Sequence, residues 1–142
     1  MKISARNFIK GTVASVTKGA VNGIVAIKCG DKTIKADITN EAIDSLGLEE
    51  GKEAYAVIKA SNVMIATGGE AITNISARNQ LQGTIAAIVE GAVNGHVTLD
   101  LGCAEASIKA SITNEAIKDL GLKVGDTATA IIKSTDVMVA ID

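Results

Sequence analysis

The stretch GAVNGIVAIKCGDKTIKADITNEAIDSLGL, residues 19–48, decides the fold, and it returns as GAVNGHVTLDLGCAEASIKASITNEAIKDLGL at residues 91–122. Within it Val21, Gly23, Val25 and Ile27 alternate with Asn22, Ile24, Ala26 and Lys28. Ile34, Ala36 and Ile38 then alternate with Lys35 and Asp37. A period of two over β-branched residues is the pattern of strands. Asn22-Gly23 is also a hairpin-type turn pair. The alternation stops at TNEAIDSLGL, where Thr39 is suited to cap a short helix, Glu41 to sit in its first turn and Gly47 to stop it. Thr113, Glu115 and Gly121 repeat that arrangement.

Outward from this stretch, the whole chain proves to be one unit written twice. Residues 4–30 match 76–102 with 14 of 27 positions identical, and 34–66 match 108–140 with 20 of 33 identical. Each copy adds two further strand-like segments, EAYAVIK (53–59) and NVMIAT (62–67) in the first. The expectation is an all-β chain of two tandem five-stranded barrels of the oligonucleotide/oligosaccharide-binding type, each with one short helix. Residues 1–67 would form the first domain, 68–75 a glycine-bearing linker and 76–142 the second domain.

Composition narrows the function. The 142 residues carry a formal charge of -2 and only two aromatic side chains, Phe8 and Tyr55, which become Gln80 and Thr129 in the second copy. Nucleic-acid binding by such a barrel uses a basic groove and stacking platforms, so it is not expected here. His96 is the single histidine and its counterpart is Ile24, so a duplicated histidine-based catalytic site is excluded and an enzyme is not expected. No run approaches the ~20 apolar residues of a membrane span, and the start MKISARNFIKG does not resemble a signal peptide. These features lead to an expectation of a cytoplasmic protein with no membrane partner. Cys29 and Cys103 are read as buried apolar residues. Two barrels of ~65 residues are marginal alone, and the 47% hydrophobic content points to self-association.

The duplicated polar residues are donors: Ser4 and Arg6 with Ser76 and Arg78, Thr39 with Thr113, and Lys59 with Lys133. A guanidinium, an ammonium and hydroxyls together are equipment for an oxyanion, because charge-assisted hydrogen bonds favour negative charge. Spacing alone leaves another reading open, in which Arg6 and Lys59 cap strand ends and Asn22-Gly23 is only a turn.

SARN followed by Gly11 or Gly83, then GAVNG, ITNEA, LGL and VIKASNVMIA or IIKSTDVMVA, in that order and twice, resembles the molbindin (Mop-domain) family, specifically its two-domain members. The resemblance implies barrels that bind molybdate, and possibly tungstate, between subunits of a homotrimer. It implies one class of site built from Ser4, Arg6, Thr39, Lys59 and Ala60, with a counterpart from Ser76, Arg78, Thr113, Lys133 and Ser134. A second class near a threefold axis would use Val21, Asn22, Val93 and Asn94. Ala60 lacks the hydroxyl of Ser134, so a backbone N–H would have to serve there. Intracellular molybdenum storage and homeostasis is the expected role. A free-standing molybdate sensor is the alternative.

Overall fold

The structure is a computed structural model that describes residues 2–103 and 106–142. In the first copy the chain forms β1 (Asn7–Lys18), β2 (Asn22–Cys29), β3 (Lys32–Thr39), α1 (Asn40–Ser45), β4 (Glu53–Ile58), a 3-10 turn at Ala60–Asn62 and β5 (Met64–Thr67). The second copy follows with β6 (Asn79–Glu90), β7 (Asn94–Asp100), β8 (Ser107–Thr113), α2 (Asn114–Asp119), β9 (Thr127–Ile132), a 3-10 turn at Ser134–Asp136 and β10 (Met138–Ala140). The fold is all-β, of two OB-like barrels with few short helices.

Each barrel is organised by one long strand. β1 pairs antiparallel with β2 on one side and β4 on the other, and its register slips between Val13 and Ser15. β6 repeats this with β7 and β9, slipping between Ile85 and Ala87. Such a bulge adds local bend and twist, which a twelve-residue strand needs in order to curl. A glycine sits just before each bulge for a steric reason. A Cβ on Gly11 would lie 2.5 Å from the Lys28 carbonyl oxygen, and one on Gly83 would lie 2.5 Å from that of Asp100.

Alternation places the core. Ile9, Val13, Val25, Ile27, Ile34, Ala36, Ala54, Ala56 and Ile58 are buried in the first sheet, and Leu81, Ile85, Val97, Leu99, Ile108, Ala110, Ala128, Ala130 and Ile132 in the second. Ile43 and Ile117 are the buried residues of the two helices. Thr39 and Thr113 cap these helices as expected, each Oγ1 accepting from an amide three residues on, at 3.1 Å. The alternation departs from expectation at Val21, which is 71% exposed because it sits at the turn before β2, and at Ala26, which is buried.

The repeats and the sheets do not share boundaries. The strand order is β10-β4-β1-β2-β3 in one sheet and β5-β9-β6-β7-β8 in the other. Each fifth strand therefore belongs to the other copy: Met64–Thr67 pairs with β9, and Met138–Ala140 with β4. The chain makes each crossing at the short 3-10 turn. The turn of the first copy packs on β8 and that of the second on β3. Residues 68–75 are seated rather than free. Gln80 exchanges two hydrogen bonds with the backbone of Ile72, Thr129 donates to the Gly68 carbonyl, and the Gln82 amide donates to that of Gly69.

Candidate functional site

The exchange of strands brings the SARN segment of each copy onto the outer strand of the other barrel. Asn79, 1% exposed, accepts from the Lys35 amide at 2.7 Å and donates to the Lys35 carbonyl at 2.8 Å. Asn7, 2% exposed, does the same with Lys109 at 2.7 and 2.9 Å. A primary amide carries a donor and an acceptor side by side, so it pairs with a strand edge as another strand would. These two asparagines stand in the duplicated SARN motif but are not among the expected site residues. Their duplication and their position beside an arginine were the available signals.

Asn79 thereby anchors its neighbour Arg78. Arg78 and Ser134 come together with Ile24, Lys35 and Asp37 around a cavity of about 250 Å³. Two strands of the first barrel, β2 and β3, supply one wall. The segment before β6 and the second 3-10 turn supply the other. Among the described residues the ion pairs are Lys10–Glu53 and Lys18–Asp44, so Arg6, Arg78, Lys59 and Lys133 carry uncommitted charge. Lys35, which alternates with Ile34 and Ala36 along β3, is not among the expected site residues. Neither is Asp37, of which one carboxylate oxygen is buried without a hydrogen-bond partner.

The other expected residues do not line this cavity. Ser76 and Lys133 are exposed, and Lys133 directly follows β9 with its carbonyl accepting from the Asp136 amide at 2.9 Å. Lys59 does the same with Asn62 at 3.0 Å. Thr39 and Thr113 are exposed and commit their oxygens to the helix as acceptors, which leaves each hydroxyl hydrogen free to donate. In the first copy Ser4 and Arg6 are exposed and Ala60 is 9% exposed against β8.

The GAVN segments form a second, separate feature. Gly19 donates to the Asn22 carbonyl at 2.7 Å, and the Asn40 amide donates to Val21 at 2.8 Å. The Asn40 side chain donates to the Gly19 carbonyl at 2.9 Å, and Asn114 repeats this with Gly91 at 2.8 Å. Val21 and Val93 are each 71% exposed at the tips. Beneath them Asn40 and Asn114 each keep a buried side-chain oxygen without a partner. Asn40 and Asn114 were again missed as individuals, although they stand in the duplicated ITNEA.

The cysteines are buried, as expected, at 8% and 4% exposure. Cys29 Sγ lies 3.7 Å from the Cys103 carbonyl oxygen. Burial and the Cys29 side chain push the Cys103 thiol up from 9.0 to about 12, so it is protonated near neutrality. Among the described residues no cluster of three or more His, Cys, Asp or Glu side chains suits a metal cation. Among the described residues no helix is long and apolar enough to cross a membrane. The donor set is suited to an anion.

Residues 3–65 and 75–139 each match the TOBE domain. The chain belongs to that family, in its molbindin form. The cytoplasmic molybdate-binding protein ModG, in a crystal form with molybdate bound, is similar over 100% of both chains, with 44% identity and a TM-score of 0.92. The molybdenum-pterin-binding protein MopA of Rhodobacter capsulatus is 43% identical over 142 residues, and the molybdenum transport protein ModE of Herbaspirillum seropedicae 41%. The chain covers 53% and 52% of those two proteins, about half of their length. A molybdenum-pterin-binding protein of Haemophilus influenzae is 50% identical over 66 residues, 96% of its own length. One molbindin repeat thus stands alone in that relative and is doubled here.

Proposed function

We propose that this TOBE chain is a binding protein, not an enzyme, and that it takes up molybdate, and tungstate with it, for molybdenum storage and homeostasis in the cytoplasm. The observation that carries this reading is the cavity at which Arg78 and Ser134 of one copy face Lys35 of the other. Arg78 offers a forked donor and Lys35 an ammonium. The Ser134 hydroxyl completes a convergent donor set in a family whose ModG member holds molybdate. Each hydrogen bond to a charged group contributes about 1.5–3 kcal/mol, so three or four give micromolar binding or better. Ser76, Lys133 and Thr113, with Ser4, Arg6, Thr39, Lys59 and Ala60 in the counterpart, complete these sites when neighbouring subunits of a trimer close over them. Val21, Asn22, Val93 and Asn94 form the second class where three tips meet.

A sensing role is the second reading, and one observation favours it: the chain corresponds to about half of the molybdenum transport protein ModE. In that reading the same sites report the anion to another domain.

Isothermal titration with molybdate, tungstate and sulfate tests the first reading. Molybdate and tungstate should bind well below millimolar and sulfate much more weakly. Equal affinity for sulfate and molybdate removes the specificity from the proposal, and absence of molybdate binding removes the function.

A further inference from the structure

The interdomain pocket at Arg78 and the equivalent place in the repeat around Arg6 share a template but not the same charges. Arg78, Ser134, Lys35, Asp37 and Ile24 line the first. The corresponding positions of the repeat hold Arg6, Ala60, Lys109, Ser111 and His96. The supporting contacts are duplicated as well: Asn7 grips Lys109 as Asn79 grips Lys35, and the first 3-10 turn packs on β8 as the second packs on β3. The most consequential difference is Asp37 against Ser111, the single change between IKADITNEAI and IKASITNEAI. Asp136 on the second 3-10 turn stands where the first turn has Asn62, a change in the same direction.

A carboxylate in an oxyanion pocket acts twice against a dianion. It cancels one of the two positive charges that Lys35 and Arg78 bring, so the bound dianion is left uncompensated. It also presents oxygen to oxygen: a fully deprotonated tetrahedral anion has only acceptors, and the buried Asp37 Oδ1 lacks a donor already. Ser111 reverses both effects, being neutral and able to donate. The one gain on the first side, a Ser134 hydroxyl in place of the Ala60 methyl, supplies one hydrogen bond from an uncharged donor, which is weaker than a charge–charge interaction at the same range.

We propose that Asp37 is a specificity-determining residue that disfavours dianions in the Arg78–Ser134 pocket, so that the pocket around Arg6, Lys109, Ser111 and His96 fills first and the two are unequal in affinity. This rests on the molybdate-binding reading above. The difference is not a family device carried by both copies, because it lies in a position where the copies differ.

The test is titration of the full chain with sodium molybdate in three forms: wild type, Asp37→Ser and Ser111→Asp. Asp37→Asn serves as a second variant of unchanged size, and thermal melting verifies folding. The wild type should show a strong and a weak class of interdomain site. Asp37→Ser and Asp37→Asn should strengthen the weak class by roughly tenfold or more, and Ser111→Asp should weaken the strong class by a similar factor. Unchanged affinities and anion counts in folded Asp37→Ser and Asp37→Asn overturn the role of Asp37 while leaving molybdate binding intact. A wild type that takes up no molybdate overturns the functional reading itself.

Discussion

Asn79 and Lys35 lie 44 positions apart in the chain, yet the Asn79 side chain forms both of the hydrogen bonds that a neighbouring strand would offer Lys35, at 2.7 and 2.8 Å. The pair joins the two copies at the mouth of the candidate site. Its loss leaves a backbone donor and acceptor of β3 unpaired in a part-buried setting, and each such group costs about 1–3 kcal/mol when water does not replace the partner. Asn79→Ala should therefore lower the unfolding free energy by about 2–4 kcal/mol, measurable by urea denaturation. Asn79→Asp, which keeps only acceptors, should do no better. An effect within ~0.5 kcal/mol would make the pairing incidental.

That pair also shows where the sequence stops being readable. The strands, the short helices, their threonine caps and the doubling all follow from period and repetition, which are local. The exchange of β5 and β10 does not. NVMIA and DVMVA are nearly the same strand, so either barrel accepts either one by composition, and only the path through the 3-10 turn decides. Asp37 was hidden for a related reason. Its place in the alternation puts it on the outer face of β3, and the second copy's 3-10 turn then covers that face. Arg78 and Ser134 could be named from their motifs, but Lys35 and Asp37 required the other copy to be in place.

The arginines should prove specific in geometry as well as charge. Arg78→Lys retains the positive charge but loses the planar fork that holds two oxygens at once. We expect the fold and assembly to persist and one class of anion site to weaken by roughly tenfold, one charged hydrogen bond's worth. Arg6→Lys should do the same to the other class, with the larger effect on total binding because its pocket has Ser111 rather than Asp37. Native mass spectrometry with added molybdate reads both subunit and anion counts. An unchanged anion count and affinity in both variants would make the arginines structural.

The cysteines offer a pH-dependent measurement. The Cys103 thiol is raised from 9.0 to about 12 in the folded chain, first by burial and then by Cys29. A group raised on folding holds its proton more tightly when native, so its contribution to stability is full below the unfolded value and is lost as pH rises from about 9 towards 12. Cys103→Ala should remove that part of the alkaline decline relative to wild type. In the native protein near neutrality both thiols should resist alkylation and react only after denaturation. Rapid labelling of folded protein would contradict the burial.

The last expectation joins assembly to binding at the GAVN tips. Val21 and Val93 each expose 71% of their surface, and directly below them Asn40 and Asn114 keep buried oxygens without partners. Exposed apolar tips over unsatisfied acceptors are poor terminal surfaces, and a buried polar atom needs a partner. Both conditions are relieved when tips of several chains meet, with donors or water closing the ring. An anion that binds only this assembled state stabilises it by mass action, by about 2.7 kcal/mol at a hundredfold excess over its dissociation constant. The molbindin resemblance implies that this assembly is a trimer, and its melting temperature is expected to rise with molybdate and barely respond to sodium chloride of matched ionic strength. The double variant Val21→Asp with Val93→Asp places like charges at every tip, and it should shift the assembly towards monomer while each barrel keeps its strand content. Sedimentation equilibrium reads the first change and circular dichroism the second. A wild type that stays monomeric and binds molybdate with full affinity would separate binding from assembly.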